Sequence, residues 1–154
     1  MSDFGSRGLI VSFSDLLADA ALFTSFDAII AADGEGIIRL WNPGAERIFG
    51  YSSDRAIGQS LDVIIPERLR MRHWDDYRQV METGKSRYGY ADVPSAPGVS
   101  KDGVMVSIEF TVAPLRDGAG QLIGIAAIMR DVTKRFEEMR ALKERLAEAT
   151  KAPG

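Results

Sequence analysis

Two stretches in the C-terminal half carry the most regular hydrophobic pattern. In residues 104–113 apolar and more polar positions alternate, and this period of two predicts a half-buried strand. Residues 122–129 are almost all apolar, which predicts a strand covered on one face by the core and on the other by a helix or a partner chain. A weaker strand is predicted at residues 87–91. Because Pro94 and Pro97 interrupt the pattern that follows, a loop or an edge strand is expected there.

The N-terminal half predicts a hairpin followed by short helices. Residues 27–32 and 37–41 are predicted strands, and Asp-Gly chemistry in the turn between them favours a tight connection. Asn42 is placed to cap a short helix that has Pro43 at its first position, and Gly50 suits the end of that helix.

Three further helices are predicted. The first covers residues 14–23, with Ser12 or Ser14 as its cap, and a longer one covers residues 67–82. The last runs from Lys134 to about Ala149, with Thr133 as its cap.

This order of elements predicts an α+β domain with one five-stranded antiparallel sheet and helices grouped on one face. We expect the domain to occupy residues 26–132. Residues 1–25 then form an N-terminal flanking segment with a short helix, and residues 133–154 form a coiled-coil-like C-terminal helix.

The last helix carries a spaced apolar row. Met139, Leu142, Leu146 and Ala149 follow a 3,4,3 spacing, which is typical of a coiled-coil seam. We therefore expect a dimer seam or a signalling helix, and a homodimer through the flanking helices. The alternative is a solvated helix that packs on its own sheet.

Charge and hydropathy exclude several classes of protein. The 154 residues include 19 Lys and Arg against 22 Asp and Glu, a net charge of -3, so binding of nucleic acid through a broadly basic surface is not expected. No apolar run reaches the roughly 18–20 residues of a membrane span. Met1 is not followed by a basic region and a long apolar stretch, so no secretory signal is predicted and a cytoplasmic location is the default expectation.

The supply of reactive side chains is small. The chain has no cysteine and one histidine, His73, which excludes disulfides, thiolate nucleophiles and cysteine-ligated metal centres. No Walker loop, HExxH helix, EF-hand loop or Gly-x-Ser-x-Gly elbow is present. We therefore expect a protein that is not an enzyme.

Five short motifs occur in a specific order from Phe26 to Thr133. They are residues 27–30 (DAII), 41–51 (WNPGAERIFGY), 57–58 (IG), 101–103 (KDG) and 130–133 (RDVT). Each motif is weak alone, but their order and spacing together resemble a PAS domain. The resemblance implies a sensory module whose sheet and helices enclose a pocket for a cofactor or small ligand. It also implies that Asp131-x-Thr133 joins the domain to a downstream effector of the kinase or cyclase type.

The long predicted helix carries the only histidine on an apolar face. At about 100° per residue, His73 falls on the same side as Leu69, Tyr77 and Val80. A buried neutral imidazole needs a partner for its ring nitrogens, and iron is one such partner. Arg72-His73-x-x-x-Tyr77 resembles this helix in the heme-binding PAS domains of oxygen-sensor histidine kinases. The resemblance implies heme b, with His73 as the iron ligand.

The remaining pocket wall is expected from two strands. Inward-facing residues of the alternating strand and odd positions of the last strand would complete a largely apolar lining. Together with the helix, the expected cofactor-binding residues are His73, Leu69, Tyr77, Ile108, Phe110, Val112, Ile125, Ala127 and Met129. Arg70, Arg72 and Arg78 are on the right helix to meet heme propionates, and the sequence does not choose among them.

One departure leaves the sensed molecule open. In the oxygen-sensor group a distal arginine lies on the strand after the long helix. The matching stretch here, Val93-Pro94-Ser95, has no arginine, and Arg87 is out of register. O2, NO, CO and redox state all remain candidates, with a sixth ligand such as Met81, Met105, Met129, water or a gas. The alternatives are a heme-free PAS module that binds a small metabolite or serves dimerisation, and a flavin-binding redox module, for which no residue set argues.

Overall fold

The computed structural model of the protein describes residues 11–85 and 93–151. Five strands and five α-helices follow one another in these ranges: α1 (Phe13–Leu22), β1 (Ala28–Asp33), β2 (Ile38–Trp41), α2 (Pro43–Phe49), α3 (Ser53–Ala56), α4 (Arg70–Thr83), β3 (Ser95–Val99), β4 (Met105–Arg116), β5 (Leu122–Asp131) and α5 (Thr133–Lys151). Two 3₁₀ helices, Leu61–Ile64 and Glu67–Leu69, lie between α3 and α4. The predicted strand at residues 87–91 lies outside the described ranges.

The five strands form one antiparallel sheet in the order β2-β1-β5-β4-β3. The predicted fold class, α+β with a five-stranded antiparallel sheet and helices, is confirmed. The strand that is last in sequence, β5, lies in the middle of the sheet. In its register Ala127 lies opposite Ile30 of β1 and opposite Val112 of β4. Directly opposed residues of antiparallel strands share a face, so three distant segments contribute to one continuous inner surface.

The β1–β2 hairpin is closed by an aspartate and a glycine. Asp33 Oδ1 accepts hydrogen bonds from the backbone N–H groups of Glu35 (3.0 Å) and Ile37 (3.1 Å). Gly36 has φ +79°, a left-handed conformation that favours glycine. The predicted Asp-Gly chemistry is therefore present, but the residue that needs the left-handed conformation is Gly36 rather than Gly34.

The start of the sheet is held by the buried side chain of Asn42. Its Oδ1 accepts from the N–H of Ile29 at 2.8 Å and, as the predicted cap of α2, from the N–H of Ala45 at 2.9 Å. Its Nδ2 donates to the carbonyls of Thr24 at 3.2 Å and Asp27 at 3.0 Å. All four hydrogen-bonding positions of the amide are used, so its burial carries no desolvation penalty from an unpaired group.

Two predicted helix starts are wrong in detail. The segment predicted as one helix over residues 67–82 begins as the 3₁₀ helix Glu67–Leu69, whose Leu69 N–H donates to the Pro66 carbonyl, and becomes α-helical at Arg70. Thr133, expected as a cap, is the first residue of α5. Its hydroxyl donates to Asp131 Oδ1 (2.5 Å) and accepts from the Ser107 N–H (2.9 Å), so it joins α5 to the sheet instead.

The strand around the two prolines is an edge strand, as the sequence predicted. β3 pairs with β4 alone, and Pro97 lies opposite Ser107. A proline lacks a backbone donor and is therefore tolerated at the edge of a sheet.

The outer face of β5 is not covered within one chain. Ile123 and Ile128 are 52% and 47% exposed, so the prediction that both faces of this strand are covered is not met by any helix of the described ranges. Ala126 and Ile128 alternate with the inward Ala127, which explains why an almost wholly apolar strand has one exposed side.

The apolar rows of α1 and α5 are also exposed. Leu142 and Leu146 of α5 are 54% and 67% exposed, and Phe136 and Met139 are exposed to a similar degree. The alternative in which this helix packs on its own sheet is therefore wrong for the single chain. An ion pair of 2.6 Å between Arg135 and Glu109 of β4 holds only the base of α5.

We predict that Gly44→Ala destabilises the domain by about 1–3 kcal/mol through overpacking. A Cβ at Gly44 would lie 1.9 Å from the backbone oxygen of Asp27, so strand and helix would have to separate. Urea unfolding measures the effect. Gly118→Ala is the matched control, because nothing lies within 4 Å of a Cβ there. Equal stability of the two variants would contradict this account of the α2–β1 contact.

Candidate functional site

A cavity of about 340 Å³ lies between the inner face of the sheet and α4. All nine residues that the sequence predicted around a cofactor line it: Leu69, His73, Tyr77, Ile108, Phe110, Val112, Ile125, Ala127 and Met129. The structure thus brings this set together from four elements, the 3₁₀ helix Glu67–Leu69, α4, β4 and β5, while a role for these residues in cofactor binding stays a prediction.

Several lining residues were not predicted from the sequence. Ile30 and Ala32 of β1, Phe49 of α2, the Leu61–Ile64 turn and β3 residues 95–98 also reach the cavity. The sequence of β1, AIIAAD, has no alternation of apolar and polar residues that could have identified Ile30 and Ala32, and it is the structure that places both at buried positions. No local signal in the sequence marks β3 as part of the cavity wall. This strand lies close to the Phe49 ring because Gly98 has no side chain, and a Cβ there would lie 3.2 Å from that ring.

His73 carries an unsatisfied polar atom at this cavity. Its Nδ1 is buried and has no hydrogen-bond partner among the described residues. Burial lowers the pKa of His73 below its usual value of 6.5, and the charges of Asp62 and Asp76 oppose this only in part. The imidazole is therefore neutral at pH 7, which is the form that binds metals.

Two neighbours of His73 anchor α4 to the β1–β2 turn. The Tyr77 hydroxyl donates to the Asp33 carbonyl at 2.5 Å, and burial together with the Asp33 charge raises the pKa of Tyr77 to about 12. Trp74 Nε1 donates to Asp62 Oδ1 at 2.8 Å. The indole ring fills the space at Gly36, where a Cβ would lie 2.1 Å from it. Trp74 therefore packs behind the cavity rather than lining it.

The histidine ring lies within this aromatic group. Ring centroids are 4.8 Å apart for His73 and Trp74 and 5.8 Å apart for His73 and Tyr77. Because Tyr77 is hydrogen-bonded to the β1–β2 turn and Trp74 to the 3₁₀ helix Leu61–Ile64, the backbone that carries His73 is held in a defined place at the cavity wall.

The three methionines predicted as candidates for a sixth iron ligand lie in different environments. Met129 lines the cavity, Met81 packs against the core, and Met105 is largely exposed. Of the three predicted as sixth-ligand candidates, the structure places only Met129 at the cavity. Residues 11–85 and 93–151 contain no group of three or more His, Cys, Asp or Glu that could hold a metal ion.

The architecture of the domain is thus an antiparallel sheet that closes an apolar cavity against a helix. The PAS fold family matches residues 22–137, and the chain belongs to that family. It is a PAS sensory domain related to sensor proteins.

Two sensor proteins and one solved structure illustrate the relationship. The chain is 31% identical to the sensor protein FixL of Bradyrhizobium diazoefficiens over 123 residues, which cover 80% of this chain and 24% of FixL. It is 30% identical to the oxygen sensor protein DosP of Escherichia coli over 79 residues, 48% of this chain and 10% of DosP. The crystal structure of a PAS domain from Colwellia psychrerythraea has a TM-score of 0.67 and 27% identity, covering 80% of this chain and 99% of that one. The chain thus spans about a quarter or less of the length of FixL and DosP.

Within the part of the chain that the structure describes, no helix is both long enough and apolar enough to cross a membrane.

We predict that His73, the only histidine, titrates below 6.5 in the folded protein, because burial disfavours its charged form. The unfolded chain then binds more protons just below pH 6.5, so His73 contributes stability that is lost as the pH falls through the folded pKa. NMR of the single imidazole measures that pKa. Unfolding of a His73→Gln variant provides the control, since it should lack this loss. A pKa at or above 6.5 would contradict the described burial.

Proposed function

We propose that the cavity binds heme b with His73 as the iron ligand, and that the domain senses a diatomic gas (O2, NO or CO) or redox state. The observation that carries the proposal is the buried Nδ1 of His73, which has no hydrogen-bond partner within residues 11–85 and 93–151 and belongs to a neutral imidazole at an apolar cavity. The oxygen sensor protein DosP among the relatives supports the choice of a gas.

The residues at the cavity fit such a group. Heme is mostly apolar, and the sheet side of the cavity supplies an apolar wall from Ile108, Phe110, Val112, Ile125 and Met129. A proximal histidine must be deprotonated, and burial provides that state at pH 7. When bound, the heme would supply an iron coordination position for a gas, and apolar walls would limit access of water to it.

Tyr77 and Trp74, the two hydrogen-bonded neighbours of His73, have a structural role. Tyr77 holds α4 on the β1–β2 turn through Asp33, and Trp74 holds it on the 3₁₀ helix Leu61–Ile64 through Asp62. They therefore fix the position of His73 and take no part in ligand binding through their polar atoms. Both polar groups are already hydrogen-bonded within the protein, whereas His73 Nδ1 has no hydrogen-bond partner among the described residues.

A short path leads from the cavity to the C-terminal helix. Ile108 lines the cavity, and its neighbour Ser107 accepts from the Val132 N–H at 2.8 Å and donates its own N–H to the Thr133 hydroxyl. A displacement of β4 at Ile108 would therefore act directly on the first residues of α5. Such a switch requires different contacts in the two ligand states.

The size of the cavity favours a second candidate. About 340 Å³ lies at the small end of ligand sites, which suits a small metabolite better than a macrocycle unless the cavity opens. In this alternative the domain is a heme-free PAS module, and His73 hydrogen-bonds the metabolite. The other form of this alternative is a heme-free PAS module that serves only dimerisation.

The proposal also covers the flanking segments, the downstream effector and the cellular location. We propose that residues 26–132 form the sensor, with flanking segments 1–25 and 133–154, and that α5 passes the signal to a kinase- or cyclase-type effector. Sensor relatives several times longer than this chain support the effector. The proposal places the protein in the cytoplasm, in a two-component type of pathway, without nucleic acid or membrane as a partner and without catalysis by the domain itself.

Hemin titration tests the heme assignment. We expect the purified chain to give a sharp Soret band that shifts on reduction and on CO addition, and His73→Ala to lose that spectrum because it removes the only imidazole. Gln79→Ala, an exposed change on the same helix, should keep it. An unchanged Soret spectrum and stoichiometry in His73→Ala would refute the ligand. A flat spectrum of the wild-type chain would instead favour the metabolite module.

The exposed apolar row of α5 predicts a homodimer. We expect Leu142→Glu/Leu146→Glu to convert a dimer into a monomer in light-scattering measurements, because charges would replace the apolar contact. Lys143→Gln/Arg145→Gln changes the net charge equally and should leave the dimer intact. A wild-type chain that is monomeric at high micromolar concentration, or a dimer that survives the leucine changes, would exclude this seam.

A further inference from the structure

The structure separates the three arginines of α4 that the sequence could not distinguish. Arg70 donates to the backbone carbonyls of Ile65 at 3.2 Å and Asp62 at 3.4 Å, so its guanidinium is committed to the preceding turn. Arg78 forms an ion pair of 2.5 Å with Asp75 on the solvent side of the helix. Arg72 lines the cavity and makes no hydrogen bond or ion pair with any residue of the described ranges.

The cavity has an apolar body and one polar end. Among the described lining residues, the charged or titratable ones apart from Tyr77 are Arg72, His73 and Asp76, and all three lie on α4. Arg72 is the one lysine or arginine among these described lining residues. It lies in the first turn of α4, where no acidic residue is present and the helix dipole also favours an anion.

We propose that Arg72 is the specificity residue of the cavity and selects ligands that carry a carboxylate on an apolar body. The ligand would lie with its apolar part against the sheet and its carboxylate at the N-terminal end of α4. This inference rests on the proposed ligand-binding function and deepens it. For heme b the carboxylate is a propionate, and a planar guanidinium is suited to bind it in a bidentate manner.

The affinities of three protein forms for two porphyrins test this assignment. Wild type, Arg72→Gln and the matched control Arg78→Gln are titrated with hemin and with the dimethyl ester of hemin, which lacks both carboxylates. Since Arg72 is exposed, we expect Arg72→Gln to bind hemin about two- to fivefold more weakly. It should bind the ester with wild-type affinity, and Arg78→Gln should match wild type for both porphyrins.

The outcomes separate this inference from the proposed function. Equal hemin affinity of Arg72→Gln and wild type would overturn the role of Arg72 and leave heme binding intact. An equal loss for hemin and for the ester would also overturn it, because the effect would then be structural. If the wild-type chain binds neither porphyrin, the heme proposal fails first and the inference fails with it.

Discussion

The position of β5 between β1 and β4 is the constraint on which the rest of the domain depends. Its register lines up Ile30, Ala127 and Val112 across three strands, and this row forms the floor of the cavity. An antiparallel register that slipped by one residue would turn every inward side chain outward. The sheet therefore defines the apolar wall, and the helices only close it.

The second constraint is how α4 is held over that floor. Tyr77 bonds the Asp33 carbonyl and Trp74 bonds Asp62, while the indole ring occupies the space that glycine leaves at position 36. These contacts use the polar groups that could otherwise compete for a ligand. At the cavity lies a neutral imidazole whose buried Nδ1 is unpaired among the described residues, an arrangement that is unfavourable unless a partner satisfies it.

The same sheet links the cavity to the end of the chain. Ser107 bonds to both Val132 and Thr133, and Asp131 bonds to the Thr133 hydroxyl, so α5 is attached to β4 next to the cavity-lining Ile108. Beyond that joint α5 leaves its apolar row exposed. The joint therefore connects a cavity-lining strand to a helix whose apolar face is exposed in the described part of the chain.

The sequence by itself determined the elements and the cavity-facing histidine. A period of two in β4 defined its inward face, Asn42 with Pro43 defined the start of α2, and helical periodicity put Leu69, His73 and Tyr77 on one side of α4. Only the tertiary structure decided that β1 and β3 complete the wall. It also decided that Arg72 rather than Arg70 or Arg78 is available there, and that the rows on β5 and α5 are uncovered. The physical reason is the separation along the chain of the residues that interact. Periodicity follows from local backbone geometry, whereas the partner of each side chain depends on register and packing between segments far apart in the chain.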